Sequence, residues 1–284
     1  MTYRRSFDAL RAIELAAEVR DDAGLDFVSP ISIFDLCEVL NVSVRFIDTK
    51  SAEAIYCAGP GLAPTIIVSA LRPPQRRFFN CAHELGHHFL EHGFTVDEFQ
   101  SGATQPTNEL LADTFAAHLL MPRLGLANAF VVRGWDIKEP TPFQLLVVAS
   151  HFAIGMDTLI THLERGLNLL TSPQADRLRK VRLPVLRAEI LDRAEAARLV
   201  VVDKDYSLPS VDVDVGDLIL AAPGNATCNG PSIRHEGSCN TGSIFRAIAP
   251  GTSDIASSVH GLPLIARVSR KPYIGLAKYR FLEE

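Results

Sequence analysis

The chain has 284 residues, 47% of them hydrophobic, with a net charge of −5. That length and apolar content suffice for a sizeable core divided over two domains or three, and the mild negative charge argues against a polyanion as a bulk partner. No run of about 18 apolar residues occurs, so no membrane span is expected, and the five scattered cysteines (Cys37, Cys57, Cys81, Cys228, Cys239) suit a reducing compartment. Near the N-terminus Asp8, Arg11 and Glu14 interrupt any apolar secretory core, so residues 6–20 are predicted as an amphipathic helix of a cytoplasmic protein. ISIFDLCEVLN (31–41) predicts a second helix. NVSVRFID alternates as a half-buried strand does, and AIYCAGPGLAPTIIVS predicts two strands around a Gly-Pro-Gly turn, together a small antiparallel sheet.

After Pro73–Pro74 a helix is predicted from Arg76 to His92, then a loop over 101–107, then a strongly periodic helix, NELLADTFAAHLLMP (108–122), stopped by Pro122. Residues 141–170 predict two short helices joined at Ala153–Ile154–Gly155. An arginine-rich stretch with interleaved acids follows at 177–198. From Leu199 the texture changes to short β-like runs, LVVVD, VDVGDLILAA, SIFRAIA, GLPLIARVS and YIGLAKYRF. The expected class is α+β: a domain over 1–125, a helical segment resembling a helix-turn-helix over 126–198, and a β-rich domain over 199–284 with a regulatory or sensing role.

The stretch HELGHHFLEH (83–92) contains H-E-x-x-H at His83–His87 and the inverted H-x-x-E-H at His88–His92. On a helix each residue turns about 100°, so either histidine pair lies on one face, while the two pairs sit about 140° apart and cannot share an ion. A hydrolytic zinc site wants three protein ligands and an open position. Glu109 and Asp113, one turn apart on the next helix, offer one carboxylate for the metal and one for the free ring nitrogen of a histidine ligand. The inverted motif would have to use Glu164, which no supporting pattern accompanies.

RRFFNCAHELGHHFL followed by NELLADTFAAHLLMP resembles the ImmA/IrrE family of zinc metallopeptidases, on Arg77, Phe78, Ala82 to His87, Glu109, Ala112, Phe115, Ala116 and Leu119 to Pro122. Asp113 stands where that family usually has Asn, which keeps a hydrogen-bonding role available. The resemblance covers roughly residues 10–170. It implies a gluzincin-like domain in which His83, His87 and Glu109 hold one Zn²⁺, Glu84 serves as general base and then acid, and Asp113 supports a ligating histidine. It further implies a cytoplasmic endopeptidase that cleaves a transcriptional repressor, derepressing stress-response or mobile-element genes.

Tyr56 and Asn80 are the candidates for stabilising an oxyanion or touching substrate. Gly86 is read as permitting close helix packing, Cys81 as core, and His88, Glu91 and His92 as a polar flank. Cys228, His235 and Cys239 do not form a recurrent zinc spacing and are read as loop. The alternative function is a DNA-binding or ligand-sensing regulator that keeps the peptidase fold as scaffold. Direct nucleic-acid binding is the less favoured reading, since the second helix of the 141–170 pair offers His162 and Arg165 beside Asp157 and Glu164.

Overall fold

The computed structural model describes residues 2–92, 95–98, 107–257 and 264–282, of which 2–7 and 95–98 are described by their backbone alone. The first elements are α1 (Thr2–Asp22), α2 (Ile33–Val39), β1 (Ser43–Ile47), β2 (Ala52–Gly59), β3 (Leu62–Ser69), α3 (Pro74–Phe89), β4 (Thr95–Glu98), α4 (Thr107–Leu120) and α5 (Arg123–Val131). Then come α6 (Pro142–His151), α7 (Met156–Thr161), α8 (Ser172–Arg179) and α9 (Leu183–Leu191). The strands β5 (Leu199–Val202), β6 (Ser210–Asp214), β7 (Leu218–Ala221), β8 (Ala226–Asn229), β9 (Ile233–Cys239), β10 (Gly242–Ala247), β11 (Gly251–Ser257), β12 (Leu264–Ser269) and β13 (Gly275–Leu276) complete the order. The loop expected over 101–107 lies outside the described residues, except that Thr107 opens α4.

Two compact units emerge: Met1–Leu126 with Pro272–Tyr279, and Ala127–Lys271 with Arg280–Glu284. The first unit holds a five-stranded sheet in the order β13-β1-β3-β2-β4. It is mixed, not antiparallel as expected, because β1 runs parallel to β3 while β2 and β3 form the antiparallel hairpin. The hairpin inserts its more apolar arm, with Ile66 and Val68 fully buried, in the middle of the sheet, and β2 lies beyond it. Strand β13, placed by sequence order with the tail, pairs with β1 instead, Arg45 opposite Leu276 and Phe46 opposite Gly275. Buried Arg20 of α1 donates to the carbonyls of Asp26, Ser29 and Leu119, tying α1 to the end of α4.

In the second unit the described strands form two four-stranded sheets, β5-β7-β10-β9 and β6-β12-β11-β8. Val202, Ile219 and Phe245 of one and Val213, Ile255 and Val268 of the other share a single apolar core. Helices α6 and the α7 segment are bent by 102° at the break between them, with Ala153 at φ 54° and Ile154 buried. His162 is buried, and Asp157 and Glu164 both bind Arg179, at 3.3 and 2.8 Å. With His162 inside and Arg179 bridging its two acids, the α7 segment does not present a wholly free polar face. Nor is any single described helix long and apolar enough to cross a membrane.

Candidate metal centre

Helix α3 opens on Pro74, whose fixed φ suits a first helical position. Phe78, Cys81, Ala82 and Leu85 are buried, and so are the polar His83, Glu84 and His87. The helix packs on β2 and β3 and against α4, which carries the two carboxylates. Gly86 sets the closeness of that second contact. A Cβ there would stand 3.1 Å from Phe115 Cδ1 and 3.2 Å from Ala112 Cα, so glycine lets the backbones approach closer than a side chain would without a shift of its neighbours. Ala112 lies between Glu109 and Asp113 in sequence, and this approach brings both carboxylates to the histidines.

Three ligand atoms then converge. His83 Nε2 lies 3.0 Å from His87 Nε2 and 3.2 Å from Glu109 Oε2, and His87 Nε2 lies 3.5 Å from Glu109 Oε1. A tetrahedral zinc ion with bonds of about 2.0–2.1 Å sets its ligands about 3.3 Å apart, so this triangle has the size the ion needs. His83 Nδ1 bonds Asp113 Oδ1 at 2.8 Å, the outer-shell arrangement that turns the other ring nitrogen inward as a lone pair. His87 Nδ1 lies 2.9 Å from His92 Nδ1. Burial, with His83 beside it, pushes the His87 imidazole down to about 4, which keeps it in the neutral form that binds a metal. Glu109 is one quarter exposed at its side chain, leaving that side of the site open to solvent.

Glu84 is fully buried next to His83 in the helix. It lies close enough to Cys57 of β2 that its charge, after burial, raises the Cys57 thiol above its ordinary value. The structure places Tyr56 and Asn80 in other bonds: the Tyr56 hydroxyl meets His88 Nδ1 at 2.5 Å, and Asn80 donates to Glu53 Oε2 at 3.0 Å. Glu164 lies in the second unit, held by Arg179. Cys81 is buried, its Sγ 3.8 Å from that of Cys37. His235 meets Phe245 edge-on and Cys239 meets Thr241, whereas Cys228 belongs to the opposite sheet. Among the described residues His83, His87 and Glu109 form the one group of three or more such ligands close enough to hold an ion.

A helix continued through His92 would put that residue on the far flank. In the structure α3 ends at Phe89, and the chain turns back through Glu91, at φ 56°, to bring His92 against His87. No glycine or asparagine marks that turn, so the usual signal for it is missing from the sequence.

Two histidines one turn apart on a buried helix, a glutamate from the next helix and an adjacent buried carboxylate define a metal-dependent peptidase centre of the H-E-x-x-H type. Residues 37–163 match the Peptidase_M78 family, described as the IrrE N-terminal-like domain. The chain thus carries a metallopeptidase domain of the ImmA/IrrE family, and its His-His-Glu cluster is consistent with a zinc metalloprotease. The match begins within α2 and continues past Pro122 through α5 and α6 into the segment after the bend. No curated protein matches the chain.

Proposed function

We propose that this protein is a zinc-dependent endopeptidase of the cytoplasm that cleaves one specific protein, a DNA-binding transcriptional repressor, and so releases stress-response or mobile-element genes. The convergence of His83 Nε2, His87 Nε2 and Glu109 at 3.0–3.5 Å carries the metal part of the reading. The repressor as substrate follows from the resemblance to the ImmA/IrrE peptidases. His83, His87 and Glu109 would hold the zinc ion, which would lower the pKa of a water from about 15.7 towards about 7 and polarise the scissile carbonyl. Asp113 keeps the His83 proton on Nδ1. The Glu84 carboxylate, shielded from bulk water, accepts the proton of the attacking water and delivers it to the leaving amine. The β-rich region 199–284 is read as the regulatory part.

The test is incubation of the purified protein and Zn²⁺ with the repressor encoded beside its gene. A single cleavage, lowered about 10²–10⁴-fold in Glu84→Gln at unchanged zinc content, is the expected result. An intact repressor, together with operator binding by the protein itself, would return the regulator reading.

A further inference from the structure

We propose that His92 is a positioning residue of the metal centre: its Nδ1 accepts the Nδ1–H of His87 and fixes the ring that offers Nε2 to the ion. The inference rests on the metal-ligand role of His87 proposed above.

The two ring nitrogens of a ligating histidine are linked. When Nε2 gives its lone pair to a metal, Nδ1 carries the proton, and the ring is oriented by whatever accepts it. For His83 the acceptor is the Asp113 carboxylate at 2.8 Å. His87 is fully buried, out of reach of bulk water, and the atom facing its Nδ1 is His92 Nδ1 at 2.9 Å. A bond between these two nitrogens with His87 as donor has one solution: His92 presents a bare Nδ1 and carries its own proton on Nε2.

The backbone is shaped to deliver that contact. Five residues beyond His87 on a continuing helix, His92 would point about 140° away around the axis. Instead Leu90 closes the helix, Glu91 takes the left-handed conformation, and the amides of Glu91 and His92 bond back to the carbonyls of His88 and His87 at 3.3 and 3.1 Å. This is the Schellman ending usually made with glycine. A glutamate there is strained relative to glycine, because its Cβ crowds the following carbonyl. The turn carries the His92 ring over the last turn of α3, where it also meets the His87 ring edge-on, centroids 5.0 Å apart. The centre is therefore asymmetric by construction: one histidine ligand is backed by a carboxylate and the other by a neutral imidazole.

Two measurements on the full chain decide this. In the zinc-loaded wild type, ¹⁵N shifts of the imidazoles should show His87 protonated at Nδ1 and His92 protonated at Nε2 only. A proton on His92 Nδ1 overturns the proposal without any variant. Chelator competition should then find Zn²⁺ held about 10–100-fold more weakly by His92→Phe, which keeps a ring but loses the acceptor. His92→Asn, whose Oδ1 sits about where Nδ1 was, should recover most of that loss, and Glu91→Gly should bind as the wild type does. The visible spectrum of bound Co²⁺ should change in His92→Phe and return in His92→Asn. Equal Zn²⁺ affinity in wild type and His92→Phe, or no recovery in His92→Asn, refutes the positioning role. A wild type that binds neither Zn²⁺ nor Co²⁺ refutes the metal reading beneath it, a result distinguishable from both.

Discussion

In the second unit Asp212 lies 2.7 Å from Arg267 and 2.9 Å from Arg280, and buried Asp217 lies 2.6 Å from Arg198. In the first unit a row of imidazoles, buried His83 and His87 and half-buried His92, has its nitrogens 3.0 and 2.9 Å apart, and a glutamate closes one end. The first arrangement pairs opposite charges and completes itself. The second lines up groups of like kind, of which His83 and His87 offer lone pairs inward beside Glu109, and its natural complement is a cation. Burial alone does not mark a functional site; what marks it is burial of polar groups that do not complete one another.

The sharpest way to break the contrast is Asp212→Ala. It leaves Arg267 and Arg280 facing each other without their shared acid, and the second unit should lose about 3–5 kcal/mol in urea denaturation with zinc content unchanged. A loss under about 1 kcal/mol would show that the trio contributes little. Gly86→Ala does the reverse. It pushes α4 away by a few tenths of an ångström, so the expected outcome is weaker Zn²⁺ binding in calorimetry and a loss of about 1–3 kcal/mol in the first unit.

The smallest effect concerns an exception in the second unit. His151 is buried, and burial, followed by nearby Arg133, pushes its imidazole down to about 3. The folded state keeps it neutral while the unfolded chain takes up a proton below about 6.5, so stability is complete above that pH and falls as the pH drops towards 3. Between pH 6.5 and 5 the wild type should lose roughly 1.5 kcal/mol that His151→Phe retains, read from urea titrations at the two pH values. Parallel pH profiles would show that His151 is not the group responsible.

The residues of the centre were legible in the sequence because the helical repeat converts spacing into direction: four residues place His83 and His87 on one face, and four more do so for Glu109 and Asp113. His92 was not, since its place depends on where α3 stops, and Glu91 occupies a left-handed position that usually shows as glycine. Strands β5, β7, β10 and β12 announce themselves by apolar runs. By contrast IRHEGSC and GTSDIAS, the strands β9 and β11, carry polar residues and glycine and give no alternation to read. The pairing of β13 with β1 joins residues more than 200 positions apart, and no local pattern encodes it.

That last pairing has a consequence for how the molecule is made. A chain leaving the ribosome has both metal-binding helices out long before Gly275–Leu276, because all of Ala127–Lys271 is translated in between, on the order of ten seconds or more. For that interval β1 has no neighbour from β13, and an unpaired strand edge is a template for a wrong one. The peptidase unit finishes its sheet more than 200 residues after it begins it, so a message cut short in the second unit yields a peptidase lacking that edge as well as its companion.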